Sequence, residues 1–334
     1  MKSVIPTLIL FYTMVNIYNV EGSVEKITYR GWNDCYLITN DSTRVVINAS
    51  AGGRIMVYER NGKNVIYENY RQDGKLLADY LSQGFDPDGG RFDYGQELIT
   101  RNLHSLTYMG PWNGEVLGDY SLKITSQPDE KLGLQSTRIF TLDPKSSYLK
   151  VSQIMTNISD KETSYFFWGR TLVKLGGKIF MPVNPESRFP DKWGRYIWGE
   201  PVLFESDPLD PGIEVLDSFF TLIPDKAGNQ KYGNDSKAGW MAYGYQGLLF
   251  VKKYDFFPDK QYGEHYGQTN VFYTNKKTFA EMEPVSPLAN LKPGESCTYN
   301  EDWYLLEYPE SSTTGFSAKA AAAFVVQETE ITKN

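Results

Sequence analysis

The stretch Phe279-Ala-Glu-Met-Glu-Pro-Val-Ser-Pro-Leu-Ala-Asn-Leu-Lys-Pro-Gly-Glu295, with the run Cys297 to Leu306 behind it, decides the fold. Glu281 and Glu283 lie two apart in an extended segment, so the period-2 alternation of a strand turns both to one side of a sheet. Leu291-Lys-Pro-Gly-Glu295 is a turn that sends the chain back into a further strand.

Outward from this stretch the same pattern repeats in both directions. Short runs rich in Val, Ile, Tyr, Phe and Thr, bounded by Gly, Asn, Asp and Pro, occur at Cys35 to Thr39, Arg44 to Asn48, Arg54 to Glu59, Asn64 to Tyr67, Ser121 to Ser126, Gln135 to Leu142, Leu149 to Asn157, Thr163 to Thr171 and Lys178 to Pro182. They continue at Pro201 to Glu205, Ser218 to Ile223, Trp240 to Tyr245, Leu248 to Lys253, Asn270 to Thr274 and Thr298 to Leu306. Asn61-Gly62 between two runs is a hairpin signal. Amphipathic helices are nearly absent from the central chain, one or two short ones being expected, as around Glu97 to Leu103. The class is all-β, a large antiparallel sandwich with few short helices. No period of 20 to 50 residues recurs, which argues against a propeller or solenoid. After Pro309 the composition turns to Ser and Thr and then to Ala318-Lys-Ala-Ala-Ala-Ala-Phe324, a tail expected either to dock as a helix or to fray.

Met1-Lys2, the apolar run Val4 to Val15 and the small residues before Ser23 form a secretory signal over residues 1–22. Pro6, Thr13 and Asn16 interrupt the run, which is too short for a membrane span of about 20 residues. The expected organisation is a leader at 1–22, a β-domain at 23–309 and the Ala-rich tail at 310–334, in a secreted or periplasmic protein with no stable membrane insertion. A net charge of −7 argues against a nucleic-acid partner. Aromatics reach 15% of the chain, and exposed rings would suit the apolar C–H faces of sugars. Cys35 and Cys297 either pair in an oxidising compartment or remain two thiols, and two cysteines with two scattered histidines do not make a zinc site.

The order of strand, acidic side chain, loop, Leu-x-Pro-Gly-Glu and strand resembles the C-terminal part of aldose 1-epimerases and of the wider galactose mutarotase-like superfamily. Gly52-Gly53-Arg54-Ile55 is similar to the small-residue turn that opens such domains, and Ser164-Tyr-Phe-Phe-Trp-Gly-Arg-Thr171 is similar in layout to the segment that bears a histidine acid there. With Asn184-Pro-Glu-Ser-Arg-Phe-Pro190 added, the pattern looks closest to an uncharacterised family of exported proteins within the superfamily. The resemblance implies a β-supersandwich over about residues 30–308, a sugar in a cleft on one sheet face and a strand-borne Glu as base. The histidine itself is missing.

Mutarotation needs one group to take the O1 proton and one to protonate the ring oxygen. Glu283 and Glu281 are the acid/base candidates, and His265, flanked by aromatics, is the candidate imidazole, against the alternative of a structural histidine. Like charges on one face would raise one carboxyl's pKa if both line a cleft. Arg170, Arg188 and Arg195 lie in a stretch with Trp168, Trp193 and Trp198, and a guanidinium that grips a carboxylate would suit an acidic sugar. Arg170, Arg188, Trp168 and Trp193 are thus substrate-binding candidates, the alternative being arginines stacked on tryptophans. Arg91 joins them from a Gly89-Gly90-Arg91-Phe92 loop at the rim. Asp86, Asp88 and Glu97 have the spacing of a calcium loop, but Arg91 stands where that loop needs Gly, and only a looser oxygen site stays open. Neither a cofactor nor a bound metal is expected. The sequons at Asn40, Asn48, Asn157 and Asn234 matter only in a eukaryotic secretory pathway. Hydrolase and nucleotide motifs are absent. Three readings compete: a sugar-active enzyme, a glycan-binding protein without turnover, and a structural partner domain. The oligomeric state is open.

Overall fold

The computed structural model describes residues 22–95, 105–198, 203–206, 209–216, 218–264, 267–275, 277–308 and 318–331. The helix expected near Glu97 to Leu103 and residues 1–21 of the expected leader lie outside these. The strands are β1 (Ser23–Tyr29), β2 (Trp32–Thr39), β3 (Thr43–Asn48), β4 (Arg54–Arg60), β5 (Lys63–Asn64), β6 (Gly90–Gly95), β7 (Trp112–Gly118), β8 (Ser121–Ser126), β9 (Leu134–Leu142), β10 (Leu149–Asn157), β11 (Thr163–Lys174) and β12 (Lys178–Pro182). They continue with β13 (Gly194–Ile197), β14 (Leu203–Glu205), β15 (Ile213–Leu216), β16 (Phe219–Leu222), β17 (Gln230–Asn234), β18 (Trp240–Tyr245), β19 (Leu248–Tyr254), β20 (Asn270–Asn275), β21 (Phe279–Pro284), β22 (Ala289–Leu291) and β23 (Ser296–Glu307). Three α-helices are described, α1 (Leu77–Gln83), α2 (Ser105–Met109) and α3 (Ala318–Ile331), with two short 3-10 turns at Tyr70–Gln72 and Pro224–Lys226.

The strands form two antiparallel sheets, an all-β sandwich as the short β-rich runs imply. The larger runs β1-β2-β3-β4-β6-β11-β21-β20-β17-β13-β14, and the smaller runs β15-β16-β12-β18-β19-β23-β10-β9-β8-β7. Between them lies a core in which Ile47, Ile55, Phe92, Phe272 and Met282 of the large sheet meet Phe140, Val151, Phe250 and Trp303 of the small one. Trp303 is its hub, with ring centroids 5.2 Å from Phe250, 5.8 Å from Tyr58 and 5.9 Å from Phe92. Gly52 and Gly53 make the β3–β4 turn at φ 77° and 58°, a conformation open to Gly, and Arg138 donates to both their carbonyls. Asn61-Gly62 forms the expected hairpin, both residues at positive φ.

The tail docks as a helix from Ala318 onward. Ala318, Ala321 and Val325 of α3 pack on the outer face of the small sheet against Phe180, Trp240, Val251 and Leu306, which offsets the marginal stability of a short Ala-rich helix. Cys35 on β2 and Cys297 on β23 sit in different sheets as free thiols. All four sequon asparagines are buried and act in turns; Asn157 Nδ2, for instance, donates to the carbonyls of Lys161 and Leu291. A glycan on any of them is incompatible with this fold.

Candidate functional site

The centre of the large sheet carries apolar residues on its inner face and a dense set of charged residues on the other. Register places Arg91 opposite Arg170 and Asp93 opposite Trp168, across β6 and β11. Across β21, β20 and β17 it places Glu281 opposite Tyr273, and Tyr273 opposite Lys231. Because neighbours in a strand alternate faces, Phe92, Met282, Phe272 and Tyr232, interleaved with these residues, go to the core instead.

Within this set the two glutamates are held differently. Glu281 accepts from Arg91 Nη2 at 2.9 Å and from Arg170 Nε at 3.2 Å. Arg91 also pairs with Asp86 and donates to the Tyr108 hydroxyl at 2.7 Å, and Arg170 Nη1 donates to Asp93 at 3.1 Å. Glu283 Oε2 accepts from Trp168 Nε1 at 2.9 Å and lies 3.4 Å from Lys231 Nζ. Its other oxygen, buried, has no donor among the described residues. Both carboxyls are fully buried. Burial opposes the charge on Glu281, but Arg91 and Arg170 outweigh it and hold that carboxyl far below the usual range. Burial pushes Glu283 up, with Lys231 opposing and the charge of Glu281 adding to it, to about 8. A carboxyl oxygen that carries the proton donates rather than accepts, so protonation is one way the orphan oxygen of Glu283 is satisfied, with Glu281 as its hydrogen-bonding neighbour. Glu281 is the member of the pair that favours its charge, and Glu283 the member that favours its proton.

Lys231 is walled by rings, 4.3 Å from the centroid of Trp168, 5.6 Å from Tyr196 and 5.8 Å from Trp198. Trp198 is 51% exposed and Tyr273 half-buried, and the Arg170 side chain keeps 15% of its surface open, so these three form the solvent side of the set.

Glu281, Glu283, Arg170, Trp168 and Arg91 are therefore brought together. Two other candidates are not. Trp193 faces the sandwich core, its ring 4.8 Å from Phe220 and 6.1 Å from Tyr232, because its position in the alternation is inward. Arg188 lies with its side chain 58% exposed and pairs with Asp235 at 3.5 Å. His265 lies outside the described residues. Arg91 is not on a rim loop but on the central strand β6, where the alternation Arg91-Phe-Asp-Tyr94 was the available signal. Asp93, Lys231 and Tyr273 were missed. Lys231 and its strand were hidden by Gly233 and Asn234, which read as a turn. The Asp86–Asp88 loop offers little to a cation. Asp88 accepts from Arg54 at 2.9 Å and Arg30 at 3.0 Å, Asp86 pairs with Arg91, Glu97 lies outside the described residues, and no cluster of three or more His, Cys, Asp or Glu able to hold a metal ion occurs among the described ones.

No protein-family model matches the chain, and no curated protein matches it in sequence. Solved structures do match. A galactose mutarotase-like protein from Clostridium acetobutylicum superposes with a TM-score of 0.59 at 10% identity, over 86% of this chain and 100% of that one. The chain has the galactose mutarotase-like fold. A putative aldose 1-epimerase from Escherichia coli K12 gives 0.55 at 13% identity, over 82% of this chain and 99% of that one. A galactose 1-epimerase from Lactobacillus acidophilus NCFM gives 0.54 at 12%, over 86% and 99%. A galactose mutarotase-like sandwich at such identities fixes the architecture, while the chemistry has to be argued from the residues above.

Proposed function

We propose that this chain is an exported sugar-binding protein whose ligand, a neutral carbohydrate, rests on the outer face of the large sheet over Arg170, Tyr273 and Trp198. The carrying observation is a buried set of hydrogen-bonding charges whose solvent side is two aromatic rings and a guanidinium, the pairing that suits a pyranose with an apolar face and a polar edge. The fold shared with sugar epimerases supports the same reading. Arg91, Arg170 and Lys231 are matched by Asp86, Asp93 and Glu281, so with Glu283 protonated the set has no surplus positive charge for a uronate. This is the reason to prefer a neutral sugar over an acidic one. The leader over residues 1–22 supports export.

A thermal-shift screen of residues 23–334 against neutral sugars, uronates and oligosaccharides tests the assignment, because a ligand that prefers the folded state raises Tm. A shift with a neutral sugar that Trp198→Ala diminishes is the expected result. A shift confined to uronates would overturn the neutral assignment, and no shift with any sugar would overturn sugar binding.

A second reading, turnover, is favoured by the raised pKa of Glu283. Glu283 would protonate the ring oxygen as the C1–O bond to it breaks, and the pair would take up the O1 proton. Full burial of both carboxyls places binding first, since a sugar must displace side chains to reach them. Polarimetry on a bound sugar decides it: full mutarotation in Glu283→Gln would remove the residue from catalysis.

A further inference from the structure

A second pair of buried charges lies directly behind the first. Lys252 on β19 and Glu301 on β23 are both fully buried in the sandwich interior, 3.1 Å apart. An ion pair in such a place is costly to desolvate and is weak evidence for stability, so its position needs another explanation. Lys252 Nζ donates to the Met282 carbonyl at 3.4 Å, and Met282 is the residue between Glu281 and Glu283. Glu301 Oε1 occupies the space behind Gly169, the residue between Trp168 and Arg170. A Cβ on Gly169 would sit 2.3 Å from that oxygen. Glu301 is itself fixed by Trp303 Nε1 at 2.8 Å and Gln153 Nε2 at 3.1 Å. The pair therefore touches the rear of both site strands at the residue lying between two site side chains.

We propose that Lys252 and Glu301 are positioning residues that hold β11 and β21 in the spacing the site requires and set the proton affinity of Glu283 through the sheet. The proposal rests on the reading of this face as the ligand site. Glu283 is faced by Glu281 on its own strand, Arg170 and Trp168 on β11, Tyr273 on β20 and Lys231 on β17, and Lys252 adds a cation from below. Glu283 is among the charges that act on Lys252, which reaches β21 at the Met282 carbonyl.

The test is the double variant Lys252→Met/Glu301→Gln, which leaves no unpaired buried charge and retains an acceptor for Trp303. The protonation midpoint of Glu283 is read by carboxyl NMR with no sugar present, so the result does not depend on the sugar assignment. The cation and the anion go together, so the midpoint should move by at least about half a pH unit from that of the wild-type chain, upward where the cation seated at the Met282 carbonyl dominates. Gly169→Ala, which displaces Glu301 but keeps both charges, should weaken binding of whichever sugar the wild-type chain binds by roughly five-fold or more. A folded double variant with an unmoved midpoint overturns the electrostatic half of the proposal. A folded Gly169→Ala with wild-type affinity overturns the positioning half. If the double variant does not fold, Lys252→Gln alone, titrated in the same way, decides the electrostatic half by whether the midpoint moves.

Discussion

Two buried clusters of arginine and carboxylate lie on the large sheet, around Asp88 and around Glu281, and they are completed differently. Asp88 takes Arg54 on one oxygen and Arg30 with the Asn69 amide on the other, and its own amide donates to Gln72. Every acceptor is used, and the guanidiniums close the cluster by stacking on Trp32. Around Glu281 stands a second carboxyl, Glu283, whose pKa is raised and whose Oε1 has no donor among the described residues. The Asp88 carboxylate is saturated, although Arg54 Nη2 beside it has no acceptor among the described residues, and a saturated carboxylate serves stability. An unsaturated cluster, kept at the same depth, favours the protonated form of its second carboxyl.

The largest effect tests the saturated cluster. Asp88→Ala leaves Arg54 and Arg30 without their shared anion and should cost about 3–5 kcal/mol in urea unfolding. A loss under about 1 kcal/mol would mean that the arginines find other partners and that the contrast with Glu281 is false.

Next come the two glutamates. Glu281→Gln removes the anion common to Arg91 and Arg170 and should destabilise by about 3 kcal/mol, while Glu283→Gln, a near-isostere of the protonated acid, should change stability by less than about 1 kcal/mol. Equal losses would mean that Glu283 is ionised.

The pH dependence sharpens this. Glu283 has its folded pKa raised above the unfolded value, so its contribution is fully present below the unfolded value, near 4.3, and is lost as pH rises toward about 8. Glu281 has its folded pKa depressed, so its contribution is present above the unfolded value and is lost only in strong acid. Tm should therefore fall between roughly pH 5 and pH 9 by more in the wild-type chain than in Glu283→Gln. Parallel curves would remove the raised pKa.

How much of this was legible follows from burial. Strands such as β8, β9 and β10 alternate buried and half-exposed residues, and their bounds were readable almost to the residue. Strand β6 is buried on both faces, with glycines at each end, and was read as a loop. The pair Glu281 and Glu283 was legible because period 2 is local. Lys231 was not, since only the long-range pairing of β17 with β20 brings it to Glu283. The two Trp-Gly-Arg tripeptides show the limit most clearly. Trp168 and Arg170 face the site, whereas Trp193 faces the core and Arg195 pairs with Glu205 at 2.7 Å. Identical local sequence has opposite meaning when its position in the alternation differs, and nothing within three residues encodes that.

The smallest stability effect carries the most functional information. Trp198 lies half-exposed beside Lys231, so Trp198→Ala should change stability by no more than about 0.5 kcal/mol. If its ring is the platform for a sugar, the same change removes a stacking surface worth about 0.5–1.5 kcal/mol and weakens binding several-fold in calorimetry. Trp193→Ala should behave in the reverse way, costing about 3–5 kcal/mol through the cavity it opens in the core. It would leave the solvent side of the charged face untouched. A sugar affinity that follows Trp193 and ignores Trp198 would place the ligand elsewhere on the molecule, and the unsaturated carboxyl pair would then be a structural feature without a ligand.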